Sequence, residues 1–171
     1  MKVHGNISIN NKTYVKGANI PWHQIYPFFL IHMLVFGGSG FFLAYGDGRP
    51  DVFLLFIHGG FAIIIYTVFY LVIFGCDEVK WMFINAALGL LGIYTQIDWL
   101  LSLFGRRADD YPIYVHVIPF LYFVLYTFLI RHAVLDITQS REDSNRKKRV
   151  EYGYIAISVA IYTVSYYLEK L

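Results

Sequence analysis

The sequence predicts an all-α integral membrane protein: a bundle of about five transmembrane helices preceded by a short β-hairpin-like segment. Composition and segment length both lead to this prediction. Hydrophobic residues make up 57% of the 171-residue chain and charged residues only 15%, against about 45–50% and about 25% in ordinary soluble domains. Five apolar stretches are long enough to cross a hydrocarbon core of about 30 Å, which takes roughly 20 residues.

The N-terminal segment, residues 1–22, is polar and lacks the apolar core of a cleaved signal peptide. Alternating apolar residues flank the pair Asn10-Asn11, which tolerates left-handed turn geometry, so a β-hairpin is predicted here. An isolated hairpin is marginally stable in water. We therefore expect this segment on the cytoplasmic side, lying at the membrane surface or docked on a partner.

The remaining residues, 23–171, are predicted to form one transmembrane domain whose helices are separated by charged or glycine-containing turns. The fifth span is short and carries five tyrosines. An amphipathic helix lying on the membrane surface is therefore its alternative. The predicted spans are about 24–45, 51–74, 79–104, 112–130 and 150–168, with a solvated basic linker at 136–149.

Basic residues are distributed unequally between the two ends of the predicted bundle. The positive-inside rule places the end richer in Lys and Arg in the cytoplasm. We therefore expect an inner (cytoplasmic) membrane protein with a cytoplasmic N-terminus and a C-terminus on the opposite side. The cytoplasmic set is Lys2, Lys12, Lys16, Lys80, Arg131, Arg141, Arg146, Lys147, Lys148 and Arg149, and the opposite set is Arg49, Arg106, Arg107 and Lys170.

Ionisable side chains within the spans are costly to place in a membrane and are therefore candidates for function. His58, Asp98 and His116 come from three spans, and each lies roughly 8–12 Å from the outer ends at 1.5 Å per residue. His58 and His116 are candidate axial ligands of a b-type haem, with Asp98 fixing the tautomer of one ring. The same three residues suit a metal site or proton transfer near a quinone or ion. An interfacial position beside Arg106 is an equal alternative for Asp98.

His32 and His132, nearer the cytoplasmic side, are weaker candidates for a second haem. His132 lies at the predicted membrane boundary, where snorkelling toward the surface is the competing interpretation. His116 and His132 are 16 residues apart, about 160° around a helix, so they do not share one face. Histidines on separate spans resemble in this respect small membrane b cytochromes, although helix count and spacing do not identify one.

Glycine-rich stretches at 37–40 and 59–60 give two helices flat faces. Such faces admit a planar ligand, and they also let membrane helices pack closely without one. A further set forms one stripe at helical spacing and is predicted to be a helix–helix interface: Asn85, Gly89, Gly92 and Gln96.

Several functions are excluded by what the sequence lacks. A single cysteine, Cys76, excludes a thiol–disulfide relay. The five predicted cores contain no lysine for a retinal Schiff base, and the chain has no Walker loop, His-Glu-x-x-His or Gly-x-Ser-x-Gly motif. The net charge of +2 is too small to indicate a nucleic-acid partner.

The expected function is that of a non-catalytic or accessory subunit of a larger membrane complex, in contact with the lipid bilayer and with protein partners or further copies of itself. One alternative is an electron-transfer protein that binds haem b, or a metal, through His58 and His116 and is linked to quinone. The other alternative is an oligomeric ion- or lipid-handling protein, although the chain has no symmetric repeat.

Overall fold

A computed structural model describes residues 2–9, 11–46 and 50–168, and the chain is mostly helical. Asn10, Arg49 and Lys170 lie outside the described residues. The elements are β1 (Ile7–Ile9), β2 (Lys12–Tyr14), α1 (Trp22–Tyr45), α2 (Val52–Phe74), α3 (Cys76–Val79), α4 (Trp81–Ser102), two 3-10 turns (Ala108–Asp110 and Ile113–His116), α5 (Val117–Ile137) and α6 (Ser144–Leu168).

The predicted hairpin is confirmed as a two-stranded antiparallel sheet. Ser8 lies opposite Thr13 in the pairing of β1 with β2, and Asn11 in the turn has a φ of 61°, the left-handed geometry expected of asparagine. Ile7 and Ile9 on β1 are buried. The hairpin therefore has an apolar face packed against the rest of the chain.

The N-terminal segment docks on the chain's own helices. The backbone N–H of His4 donates to the carbonyl of Val72 in the last turn of α2 at 2.8 Å, and the Tyr14 hydroxyl donates to Gln24 Oε1 on α1 at 2.8 Å. Helix ends leave carbonyl groups without intrahelical partners, so the first bond satisfies one such group. We call this end of the bundle, with α3 and residues 138–143, the inner end, and the opposite end the outer end.

Three helices are long and apolar enough to cross a membrane: Trp22–Tyr45, Val52–Phe74 and Ile113–Ile137. A fourth candidate combines Cys76–Leu90 with Gly92–Ser102, which are bent by 57° relative to each other. The sequence predicted five spans. Among the described residues the structure therefore supports three spans, or four if the bent pair counts as one.

Helix α6 begins at Ser144, before the predicted 150, because the polar run of the predicted linker is itself helical. Within the described residues, α6 is not among the helices apolar enough to cross a membrane. Helix α6 nevertheless packs lengthwise on α5, because it contacts α5 at two successive levels. Glu151 pairs with Arg131, and the Tyr154 hydroxyl donates to the Thr127 carbonyl at 3.3 Å. Helix α6 thus runs antiparallel along α5 and does not lie across its end.

The predicted linker at 136–149 is also shorter than expected. Helix α5 continues to Ile137, beyond the predicted end at 130, so only residues 138–143 connect it to α6. Asp136 and Arg141 form an ion pair with side chains only 10% and 21% exposed. The connection is therefore packed against the bundle, whereas the sequence suggested a solvated run.

Glycines allow the helices to approach closely at three places. A Cβ atom on Gly59 of α2 would lie 2.3 Å from Ile118 of α5, and one on Gly89 of α4 would lie 3.1 Å from a ring of α5. On Gly92 it would lie 2.4 Å from the ring of Tyr162 on α6. The stripe predicted as an interface is therefore in contact at both of its glycines.

Candidate functional site

The side chain of His58 bridges α2 to α1. Its Nε2 lies 2.8 Å from the Ser39 hydroxyl oxygen, and its ring stacks on Phe36 with centroids 5.4 Å apart. The Ser39 hydroxyl also lies 2.8 Å from the Phe36 carbonyl. Ser39 and His58 therefore join α1 to α2 through a side-chain hydrogen bond.

His116 has a different partner at the outer end. Its Nδ1 lies 2.7 Å from the Tyr45 hydroxyl at the end of α1. The carbonyl of Tyr45 accepts in turn from the Arg106 guanidinium and from the Tyr111 hydroxyl at 3.1 Å. His116 thus belongs to a set of polar contacts that fastens α1 to the connection between α4 and α5.

Asp98 fixes the backbone of that connection. Its Oδ1 accepts from the backbone N–H of Ala108 at 2.6 Å, and the carboxylate is buried. Arg106 donates to Tyr45. Asp98 thus stabilises the turn that follows α4, and its two interpretations from the sequence, a member of the site or an interfacial residue beside Arg106, both stay predictions.

The structure places His58, His116 and Asp98 in separate contacts. Within residues 2–9, 11–46 and 50–168, no three His, Cys, Asp or Glu side chains form a group suited to a metal ion. Ile118 packs against Gly59 between α2 and α5, so these two helices are in direct contact next to His58. Haem or metal binding by these residues remains a prediction without geometric support.

A set of charged side chains at the inner end was not recognised from the sequence. We call it the inner charged cluster. Its members lie on α3, α5, α6 and the 138–143 connection, and three cations balance three carboxylates around a histidine. The cluster consists of Glu78, Arg131, His132, Asp136, Arg141, Lys147 and Glu151.

Arg131 is the centre of the cluster, with a side chain 1% exposed. Its guanidinium bonds to Glu78 Oε2 at 3.0 Å and also to Glu151 on α6. It lies over the ring of Trp81, 4.1 Å from the ring centroid, as expected of a cation–π contact. Lys147 pairs with the second oxygen of Glu78. One arginine therefore joins the start of the α3–α4 segment to α5 and α6.

His132 is fully buried and does not snorkel to the surface. Its ring stacks on Phe74 with centroids 4.1 Å apart, and Nδ1 lies 3.0 Å from Arg141 Nη2. Since arginine only donates, Nδ1 accepts from Arg141. The other ring nitrogen, Nε2, lies 3.1 Å from Arg131 Nη1 and 3.8 Å from Glu78 Oε2. A neutral His132 thus fits between its charged neighbours.

Asp136 holds Arg141 with two hydrogen bonds, at 2.6 and 3.0 Å, and also accepts from the Tyr26 hydroxyl. Burial of the Arg141 guanidinium lowers its pKa, but the hydrogen bonds and charge of Asp136 outweigh burial and raise that pKa above its ordinary value. Arg141 therefore remains charged, as a bidentate pair with a carboxylate requires. This pair closes the inner end over the ring of His132.

The inner charged cluster could have been recognised in the sequence from acidic and basic residues that occur together at the same end of the spans. The positive-inside count treated Arg131, Arg141 and Lys147 as a surplus, yet Glu78, Asp136 and Glu151 lie at the same end of the spans. Acidic residues contribute little to orientation, so the count passed over them. Buried charges are usually paired, and equal numbers of both signs near span ends could have indicated this cluster.

His32, the remaining candidate, lies on the exposed face of α1. Its Nδ1 is 2.7 Å from the carbonyl of Phe28, one turn earlier. The structure does not join it to His132, which is enclosed in the inner charged cluster. Comparisons with protein-family models, with curated proteins and with solved structures found no match.

Proposed function

We propose that the chain is an integral protein of the inner (cytoplasmic) membrane and a non-catalytic accessory subunit of a larger membrane complex. In this proposal the inner end faces the cytoplasm, α6 is the fifth crossing and the C-terminus lies on the opposite side. The three to four apolar helices support membrane insertion. The partners are lipid and at least one further membrane protein.

One observation carries the proposal: Gln96 is exposed on α4, with no hydrogen-bond partner among the described residues. It lines a groove of about 480 Å³ between α1 and α4, with α5 as its floor, which we call the α1–α4 groove. An amide facing hydrocarbon without a partner costs several kcal/mol. A neighbouring protein that supplies a hydrogen bond would remove this cost.

The shape of the α1–α4 groove favours a helix as the occupant. Gly37 and Gly38 line its α1 wall, and nothing lies within 4 Å of a Cβ atom built on Gly38. Small residues let a transmembrane helix approach the backbone closely, and amide side chains hydrogen-bond across such contacts. A partner's transmembrane helix with a polar side chain level with Gln96 fits both features.

The non-catalytic part of the proposal is supported by the engagement of the other polar groups. His58 bonds to Ser39, His116 to Tyr45 and Asp98 to a backbone N–H. Each contact joins two elements of the bundle. These groups therefore fix the helices relative to one another, the role expected of polar residues in a scaffold.

The test is crosslinking in native membranes from a photoreactive amino acid at Leu100, which lines the α1–α4 groove. We expect a stoichiometric crosslink to one other membrane protein. Gly38→Phe fills the groove and should abolish the crosslink. Gly60→Phe is the matched control, because Gly60 also has nothing within 4 Å of its Cβ position but lies on α2.

Crosslinks to lipid alone would contradict the proposal. Crosslinks between copies of this chain would show that the chain forms a homo-oligomer through this groove, and would contradict the accessory-subunit proposal. Loss of the crosslink in both glycine variants would show that the α1–α4 groove does not select the partner.

A further inference from the structure

A small cleft of about 290 Å³ opens at the outer end of the bundle, between the last turns of α1 and α4. We call it the outer cleft. Phe42 on α1 and Phe104 after α4 line it and are exposed. Arg106, which is half-buried, is the charged residue of its described lining. Apolar walls beside one cation suit an amphiphilic ligand that carries an anionic group.

The hydrogen bonds of Arg106 leave one edge of its guanidinium unused. Nη1 donates to the carbonyl of Tyr45 and, at 3.3 Å, to the hydroxyl oxygen of Tyr111. Nε and Nη2 carry the other three N–H groups and have no partner in the described part of the chain. The two bonds of Nη1 hold the planar group in place, so the free edge is available to a ligand with two acceptor oxygens.

The charge of Arg106 has no carboxylate to balance it among the described residues. The carboxylates nearest to it in the sequence, Asp98, Asp109 and Asp110, bond to other groups. No ion pair joins a described carboxylate to Arg106, whereas the arginines of the inner charged cluster are paired. Buried charges are usually paired, so a half-buried guanidinium without a carboxylate favours an anionic ligand.

The position of the outer cleft indicates the kind of anion. Leu103 and Ile113, on the connection between α4 and α5, are exposed close to Arg106 in the sequence. In the proposed membrane protein this connection lies where the spans end, which is the level of the lipid headgroups. Guanidinium groups bind phosphate oxygens through two parallel hydrogen bonds. A lipid phosphate therefore matches the free edge of Arg106.

We propose that the outer cleft binds one anionic phospholipid. The phosphate accepts from Nε and Nη2 of Arg106, and the first carbons of an acyl chain contact Phe42 and Phe104. A headgroup with a net negative charge is preferred, because the ammonium of a zwitterionic headgroup competes for the same phosphate. This inference rests on the proposed insertion in the membrane and does not depend on a partner protein in the α1–α4 groove.

The test is a titration of the purified protein in detergent with dioleoylphosphatidylglycerol, with bound lipids counted by native mass spectrometry. We expect one saturable site that binds dioleoylphosphatidylcholine at least about tenfold more weakly. Arg106→Gln keeps an N–H donor for the Tyr45 carbonyl but removes the charge and the free edge. It should weaken binding of the anionic lipid at least about tenfold, the equivalent of about 1.4 kcal/mol, and abolish the preference between the lipids.

Arg107→Gln is the matched control. It makes the same change of charge on the same connection, but Arg107 is not part of the lining of the outer cleft, so it should bind as the wild type does. Equal weakening by Arg106→Gln and Arg107→Gln would show general attraction between charges and would overturn the proposal.

A second variant leaves Arg106 unchanged and tests the cleft even if Arg106→Gln fails to fold. Gly46 lines the cleft, has an ordinary φ of −63°, and has nothing within 4 Å of its Cβ position. Gly46→Phe should therefore fill the cleft and abolish binding. Gly60→Phe, also in open space but on α2, should bind normally.

Three results would overturn the lipid site: equal binding of the two lipids by the wild type, unchanged affinity in both Arg106→Gln and Gly46→Phe, or displacement of the lipid by millimolar inorganic phosphate. Alkaline carbonate extraction of membranes separates this inference from the proposed function. Release of the chain by carbonate would overturn both. A chain that stays in the membrane but binds no dioleoylphosphatidylglycerol would overturn the lipid site alone.

Discussion

Substitution of Arg131 is the most direct test of how the inner end is held together. In Arg131→Met, Glu151 loses the cation it pairs with, whereas Glu78 keeps Lys147. Glu151 is buried, and removing one member of a buried ion pair costs about 3–5 kcal/mol because the other charge is left uncompensated. We therefore expect the free energy of unfolding to fall by about that amount.

A second substitution separates two contributions to this loss: the attraction between Arg131 and Glu151, and the cost of leaving the Glu151 carboxylate buried without a cation. The double variant Arg131→Met with Glu151→Leu removes both charges, and replacing a buried pair by apolar residues is often neutral. We expect it to recover at least about 2 kcal/mol of the loss, as a coupling energy in a double-mutant cycle. Trp81 lies under the Arg131 guanidinium, so tryptophan fluorescence during denaturant unfolding in mixed micelles reports on the site.

The matched control is Lys80→Met. Lys80 and Asp77 form an ion pair whose side chains are 68% and 95% exposed, and exposed pairs contribute little to stability. The reasoning is refuted if Arg131→Met costs no more than Lys80→Met, or if the double variant is as unstable as the single one. Either result would mean that solvent or lipid headgroups already compensate Glu151.

Three further predictions concern single positions. Asn85 is buried, and its amide has no partner among the described residues; Asn85→Val should raise the free energy of unfolding by roughly 1–2 kcal/mol, and a lower melting temperature would contradict this. Gly92→Ala should destabilise the fold by about 1–3 kcal/mol, because its Cβ would lie 2.4 Å from an α6 tyrosine, whereas Gly60→Ala, with open space, should not. The backbone N–H of Arg146 holds the pKa of Asp143 below its usual value, so the α6 N-terminus is stabilised above about pH 4 and loses this stabilisation as the pH falls through the lowered pKa. Amide-exchange protection in the first turn of α6 should drop below about pH 4 in the wild type and not in Asp143→Asn.

Local features of the fold were accessible from the sequence. Length and apolar composition located α1, α2 and α5, because these properties do not depend on the neighbours of a segment. The hairpin followed from the turn preference of asparagine, and Asn11 adopts the left-handed geometry. Helix ends were less accurate, since α5 and α6 extend into polar residues that the sequence analysis assigned to a linker.

The candidate sites depended on contacts between distant residues. Glu78 and Arg131 are 53 residues apart, and nothing in either local segment indicates that they meet. His132 looked like a boundary residue because it lies beside Arg131 just past the predicted span end at 130, yet Phe74 and Arg141 enclose it. The contact between His58 and Ser39 likewise exists only in the folded pair of helices α1 and α2.

The bond between His4 and Val72 has a consequence for biosynthesis. The N-terminal segment reaches its place only after the second helix has been synthesised, since its docking site is the last turn of α2. If the inner end faces the cytoplasm, residues 2–20 have to remain on that side of the membrane while the insertion machinery takes up the first two helices. A large fusion partner at the N-terminus would then compete with this late docking step, whereas one at the C-terminus would leave it undisturbed.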